Sequence, residues 1–239
     1  WDMKGIRSSM SEYNVKHEVV PNFGDLKMLL SCIRPDVEIR YTTDGSEPHE
    51  YSMLYRRPLI IKQSQIVKCA TFKDGKRLGQ ILAIPVHVSG VTGRNVLRST
   101  SVERRLVNGV RGSLKNTDDE WAFWKKNDSI AVTIDVGVRK RLGKVSLGYL
   151  NHFGLGIHKP QRVEVWLSDN DVHYWKATEQ TFGRDEIFAE GRFTEEMELI
   201  LKDVARYVRV IMKGAGKCPE HHVRPGLEAQ IYLDEVLIE

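Results

Sequence analysis

The stretch "VEIRYTTDGSEP" (Val37–Pro48) decides how this chain is to be read. Val37, Ile39 and Tyr41 recur at period two, which places them on one face of an extended strand. The strand runs into Asp44-Gly45, where glycine accepts a positive φ and the aspartate bonds nearby amides, so the chain turns. Pro48 lacks an amide hydrogen and keeps the chain beyond the turn out of a sheet interior. A second hairpin turn stands at Lys73-Asp74-Gly75-Lys76 and a third turn signal at Asn108-Gly109.

The same pattern continues to the C-terminus. "SIAVTIDVG" alternates Ile130, Val132, Ile134 and Val136, and "KVSLGYL", "RVEVWLS", "RYVRVIM" and "AQIYLDEVLIE" are further strand runs. Many short strands divided by turns predict an all-β chain of sandwiches or barrels. Two segments keep a helical alternative. In "TEEMELILKDV" (Thr194–Val204), Met197, Ile200, Leu201 and Val204 have helical spacing, but the run equally suits a strand pairing with "RYVRVIM". Met3–Tyr13 reads as the end of something helical upstream. The polar "SGVTGRNVLRSTSVERR" (Ser89–Arg105) separates two strand-rich halves that do not repeat each other, which predicts two different β domains.

Composition narrows the function classes. The net charge is only +4, with Lys and Arg interspersed among Asp and Glu, which argues against a nucleic-acid surface. No apolar run approaches the roughly 18 residues of a membrane span. Cys32, Cys69 and Cys218 are widely spaced without a CxxC, so free buried thiols are expected. A chain opening at Trp1, with no initiator methionine or signal peptide, is expected to be a segment of a longer protein.

"YTTDGSEP", followed by "LY..PL.I" and "VKCATFKDGKRLG", resembles the fibronectin type III-like domain of chitobiases and bacterial β-N-acetylhexosaminidases. In the second half, "RLVNGVRG", "EWAFWKKNDSIAVTIDVG", "IHKPQRVEVWLSDN", "ARYVRVIMKGAGKCPEHH" and "YLDEVLIE" resemble, in that order, the discoidin or coagulation factor C-type fold. In bacterial glycosidases that fold is a family-32 carbohydrate-binding module. The pairing of both halves resembles the C-terminal region of family-20 glycoside hydrolases from Bacteroidetes. The resemblance implies a tail over 1–14 following a catalytic domain, an immunoglobulin/fibronectin III-like sandwich over 15–90, a linker over 91–103, and a discoidin-like jelly roll over 104–239. It also implies export to the periplasm, the cell surface or the medium.

Family-20 catalysis is expected to use an Asp-Glu pair on a barrel loop. Here Asp119-Glu120, Asp185-Glu186 and Asp234-Glu235 lack the family's "H.GGDE" setting, and no strand–helix alternation builds a barrel. A non-catalytic segment is expected, with the catalytic domain of the parent enzyme as a partner in cis. Glycans ending in N-acetylhexosamine or galactose are the implied ligands, and Trp121, Trp124, His152, His222 and Arg224 are the rim residues that would contact them. For Trp121 core packing competes with sugar contact. Exposure of Trp124 and His222 on one face would favour binding; their burial against the first domain would favour a scaffold that braces the barrel.

In the last strand Ile231, Leu233, Glu235 and Leu237 alternate onto one face, and a carboxylate interrupting an apolar face needs a partner. The resemblance implies one structural Ca²⁺, with Asn108, Asp118 and Glu235 at the matching positions; a salt bridge from Arg or Lys is the alternative. "GKCPEHH" (Gly216–His222) holds four possible metal ligands, but His221 and His222 are adjacent and point opposite ways when extended. With the other cysteines in the first half, the segment reads as a rim loop rather than a zinc site.

Overall fold

In the computed structural model, which describes residues 10–22, 25–97, 103–125 and 129–239, strand patterning controls nearly every element. Two units result, one of residues up to 19 with 27–87 and one of 20–26 with 88–239. β1 (Lys16–Asn22) and β2 (Asp25–Ser31) run across the divisions at residues 19/20 and 26/27, and the first unit further contains β3 (Glu38–Thr42), β4 (Met53–Leu54), β5 (Leu59–Ile61), β6 (Gln65–Lys73), β7 (Lys76–Arg77) and β8 (Leu82–Val86). They form sheets β1-β2-β5 and β4-β3-β6-β7, with β8 also on β6. The opening turn behaves as its residues require. Gly45 sits at φ 82, and the Asp44 carboxylate accepts hydrogen bonds from the Ser46 amide and hydroxyl. Of the expected N-terminal helix, Met10–Tyr13 forms one 3-10 turn and residues 3–9 lie outside those described.

The second unit comprises β9 (Asn95–Leu97), β10 (Ala122–Trp124), β11 (Ile130–Arg141), β12 (Lys144–His152), β13 (Arg162–Ser168), β14 (Trp175–Thr181), β15 (Arg192–Ile200), β16 (Val204–Lys213) and β17 (Ile231–Ile238). They make an antiparallel sandwich of a four-stranded sheet, β10-β17-β12-β15, and a five-stranded one, β14-β13-β16-β11-β9. Inward residues of both sheets, among them Val132, Ile134, Leu147, Val165, Val210 and Leu233, join one core. Among the described residues no helix is long and apolar enough to cross a membrane.

Three expectations change. The ambiguous Thr194–Val204 stretch lies mostly in strand β15, because burial follows period two: Met197, Leu199 and Leu201 are buried, while Ile200 is 60% exposed. Its partner is β12, from Lys144↔Ile200 to His152↔Arg192, since β16 belongs to the other sheet. The expected linker is partly structural. Val91 is buried and β9 pairs with β11, because Val96 has core to cover; residues 98–102 lie outside those described.

The last strand does not alternate as its sequence suggests. Leu147 faces Val236 but Tyr149 faces Leu233, so β17 carries one extra residue at Asp234-Glu235. A bulge of this kind redirects side chains. Val236 and Ile238 therefore join Ile231 and Leu233 in the core, and the two carboxylates are aimed at the loop of residues 108–112.

Candidate functional site at the loop end of the second sandwich

Strand register gathers the connections 153–161, 182–191 and 214–230 at one end of the second sandwich. After β12, a 3-10 turn at Phe153–Leu155 closes on Gly156, whose φ of 71 suits glycine. A side chain there would also press on Leu227, with the first added carbon 2.9 Å from its Cδ2. The reversal, bridged at His152↔Ile157, returns the next residue, His158, to the interior at 1% exposure.

The "GKCPEHH" loop approaches from the other side. Cys218 and Leu227 are tied through the Cys218 amide, and the His222 amide donates to the Pro219 carbonyl at 3.0 Å. That turn points His222 inward, 3% exposed, and leaves His221 in solvent. The His222 ring packs on Phe153 at 4.1 Å between centroids, and its Nε2 lies 3.2 Å from Nε2 of His158. Burial, aided by the His222 neighbour, holds His158 down to about 4, and burial also lowers His222.

Beside this pair Phe153, Arg184, Asp185, Phe188, Ala189, Glu190 and His221 line a depression of about 210 Å³. Aromatic rings beside both signs of charge offer an apolar face and hydrogen-bonding groups together. A larger open groove of about 880 Å³ in the first unit, along Tyr41, Met53, Arg56, Arg57 and Leu59, is lined by neither carboxylate nor imidazole.

Only part of the expected rim faces outward. Trp121 is 1% exposed among Leu150, Ile157 and Tyr232, and its indole N–H donates to the Ser113 and Lys115 carbonyls. Its ring is therefore a core element with no face for a sugar. Trp124 is half-buried on β10 against the core of its own sandwich, so neither exposure nor burial against the first domain describes it. His152 is half-buried at the end of β12, with its Nδ1 enclosed and without a hydrogen-bond partner; burial, then Arg192, lowers its pKa. Arg224 is exposed, and its backbone amide donates to His222 Nδ1 at 2.9 Å. Phe153, Phe188 and His158 were not anticipated as site residues, since their role depends on three loops meeting.

The expected calcium residues form a second cluster. Glu235 is fully buried; one oxygen accepts from the Gly109 amide at 2.9 Å, while Oε1 has no hydrogen-bond partner. Asn108 donates to Glu120 at 2.6 Å and accepts from the Val110 amide. Burial, then Asp234, raises the Glu235 pKa well above its ordinary value. The nearby cation, Arg111, makes its ion pairs with Asp234 and Glu196 instead of Glu235. Asp118 works as a turn former, its oxygens accepting from the Ser113 and Glu120 amides. An orphaned buried carboxylate oxygen near a second buried carboxylate, Glu120, is a donor set that suits a hard cation. Glu120 was not among the residues expected there.

Comparison with known proteins gives one family match and several similar structures. The family model described as "Fn3 associated" matches residues 28–84, within the first sandwich. Chitosan-binding module 1 of a chitosanase/glucanase from Paenibacillus sp. IK-5 is similar at 13% identity and TM-score 0.42, over 64% of this chain and 99% of that one. The C-terminal domain of a chitobiase from Bacteroides fragilis is similar at 14% identity and TM-score 0.33, over 56% and 77%. A CBM32 module produced by Clostridium perfringens is similar at 14% identity and TM-score 0.35, over 61% and 90%. No curated protein matches the chain.

Proposed function

We propose that this chain is a non-catalytic accessory region of a β-N-acetylhexosaminidase, and that the loop end of its second sandwich holds a glycan for the catalytic domain. The carrying observation is the depression between Phe153 and Phe188, flanked by Arg184, Asp185, Glu190 and His221. A pyranose has an apolar C–H face for an aromatic ring and hydroxyls that both donate and accept, which charged groups of both signs satisfy. The volume suits a terminal sugar rather than a long chain, below the roughly 300 Å³ where drug-sized pockets begin. N-acetylhexosamine- and galactose-terminated glycans follow from the sequence resemblance. On this reading the parent enzyme works in the periplasm, at the cell surface or as a secreted protein.

One structural Ca²⁺ belongs to the same proposal. Glu235 and Glu120 would hold it, with the Asn108 turn alongside, and the ion would supply positive charge to carboxylates that otherwise lie buried together. A scaffold reading is favoured by the burial of Trp121 and His222, which removes two of the expected contacts. A glycan array in calcium, repeated in EDTA and with Phe153→Ala, separates the readings. Selective binding that falls with Phe153→Ala supports the rim site, and its loss in EDTA supports the ion. Silence from well-folded protein leaves the scaffold.

A further inference from the structure

We infer that His158, Cys218 and His222 form a binding site for a divalent transition-metal ion of the zinc class, distinct from the oxygen-lined calcium cluster and independent of the glycan reading. The three side chains come from two connections of the loop end, His158 from 153–161 and Cys218 and His222 from 214–230; they are at most 3% exposed and bring their donor atoms within 4.8 Å of one another. A tetrahedral ion with metal–nitrogen bonds near 2.0–2.1 Å and a metal–sulfur bond near 2.3 Å separates two nitrogens by about 3.3 Å. The two Nε2 atoms stand 3.2 Å apart. Nitrogen and sulfur should stand about 3.6 Å apart, so a small swing of the Cys218 side chain completes the set.

The surroundings prepare the first ligand. Asn151 uses its Nδ2 for the Ala189 and Gly191 carbonyls, at 3.0 and 3.3 Å. Its oxygen is left facing His158 Nδ1 at 3.3 Å, so Nδ1 carries the hydrogen and Nε2 presents its lone pair towards His222. A metal-bound histidine is oriented in this way by the partner of its other nitrogen. His222 takes the opposite tautomer, because its Nδ1 accepts from Arg224; its Nε2–H then donates to His158 and bridges the rings where the ion would sit. On metal binding that proton moves from Nε2 to Nδ1, the Arg224 amide in the exposed loop turns away, and the Cys218 thiol releases its proton to solvent. Two imidazoles and a thiolate select a borderline ion over calcium or magnesium and leave a fourth position for water.

The test uses the full chain without a histidine tag, stripped with EDTA and returned to calcium-containing buffer. Titration with Zn²⁺ should show one equivalent bound, and Co²⁺ should give tetrahedral absorption with a thiolate-to-metal charge-transfer band that Zn²⁺ abolishes. Cys218→Ser should lose that band and weaken Zn²⁺ binding by at least about tenfold. Should the variant fail to fold, the Co²⁺ spectrum of the unaltered chain decides. No uptake, uptake without a thiolate band, or a band that survives in folded Cys218→Ser overturns the assignment and leaves a hydrogen-bonded His–His pair.

Discussion

Among the described residues, the first sandwich buries Ser52 and Thr71 as its polar side chains, whereas the second buries Glu120, Asp234, Glu235, His158 and His222 alongside Asn108 and Asn151. The hydroxyls of the first are satisfied by backbone groups. Thr71 donates to the Tyr13 carbonyl and accepts from the Gly79 amide, and Ser52 accepts from the His49 amide. Buried ionisable groups are costly unless paired, protonated or bound to a metal. In the second sandwich they gather at the β17 bulge and at the loop end. Such groups cluster at functional sites. The contrast places the buried ionisable side chains, Cys69 apart, in the second unit.

The contrast can be broken most strongly at its core. Trp121→Ala should destabilise the second sandwich by about 3–5 kcal/mol, because the indole fills a buried site and satisfies two carbonyls. Denaturant unfolding with a fluorescence probe checks this, and a loss below about 1 kcal/mol would deny the ring its core role. Met28→Ala in the first sandwich should cost about 2–5 kcal/mol by the same measurement, since Met28 is fully buried but carries no hydrogen bond that the change would leave open.

Calcium sharpens the comparison next. At about 100 times its dissociation constant it should add about 2.7 kcal/mol of stability to the second sandwich. Glu235→Gln should abolish that response while preserving shape. A melting temperature indifferent to calcium in the unaltered chain would leave a protonated Glu235 as the account of this cluster.

In the first sandwich, burial pushes the Cys69 thiol up to about 12 from an ordinary value of 9.0. The folded state therefore holds its proton while the unfolded thiol loses it, so stability is intact below pH 9 and declines as pH rises towards 12. The slope is on the order of 1.4 kcal/mol per pH unit, read from denaturation midpoints; Cys69→Ala should flatten it. The smallest effect is expected of Asp135→Asn. The Asp135 carboxylate takes two hydrogen bonds from Arg206 at 2.9 Å, but the Arg206 side chain is 41% exposed, so the loss should be about 0.2–1 kcal/mol and shrink in salt.

Most of the strand framework was legible locally. "IRYTTDG" and "AVTIDVG" enter strands β3 and β11 as expected, and the Asp44-Gly45 turn forms as its residue types demand. The site was less legible, since its parts lie far apart in the chain. His222 was visible beside Cys218, but as half a site; His158 lies 64 residues away and meets it only because β12 ends where the last long loop begins. Glu120 stands in "NTDDEW", and nothing in that stretch says that Asn108 will turn its amide towards it.

Period-two alternation and turn residues determined an all-β chain in two unlike halves, because both act over a few neighbouring residues. Tertiary structure decided the partner of β15, the extra residue in β17, the inward aim of His222 and the burial of Trp121. Each depends on which sheet lies opposite and which loop closes over it. Burial and charge pairing are properties of neighbours in space, and the alternation of one strand does not say who those neighbours will be.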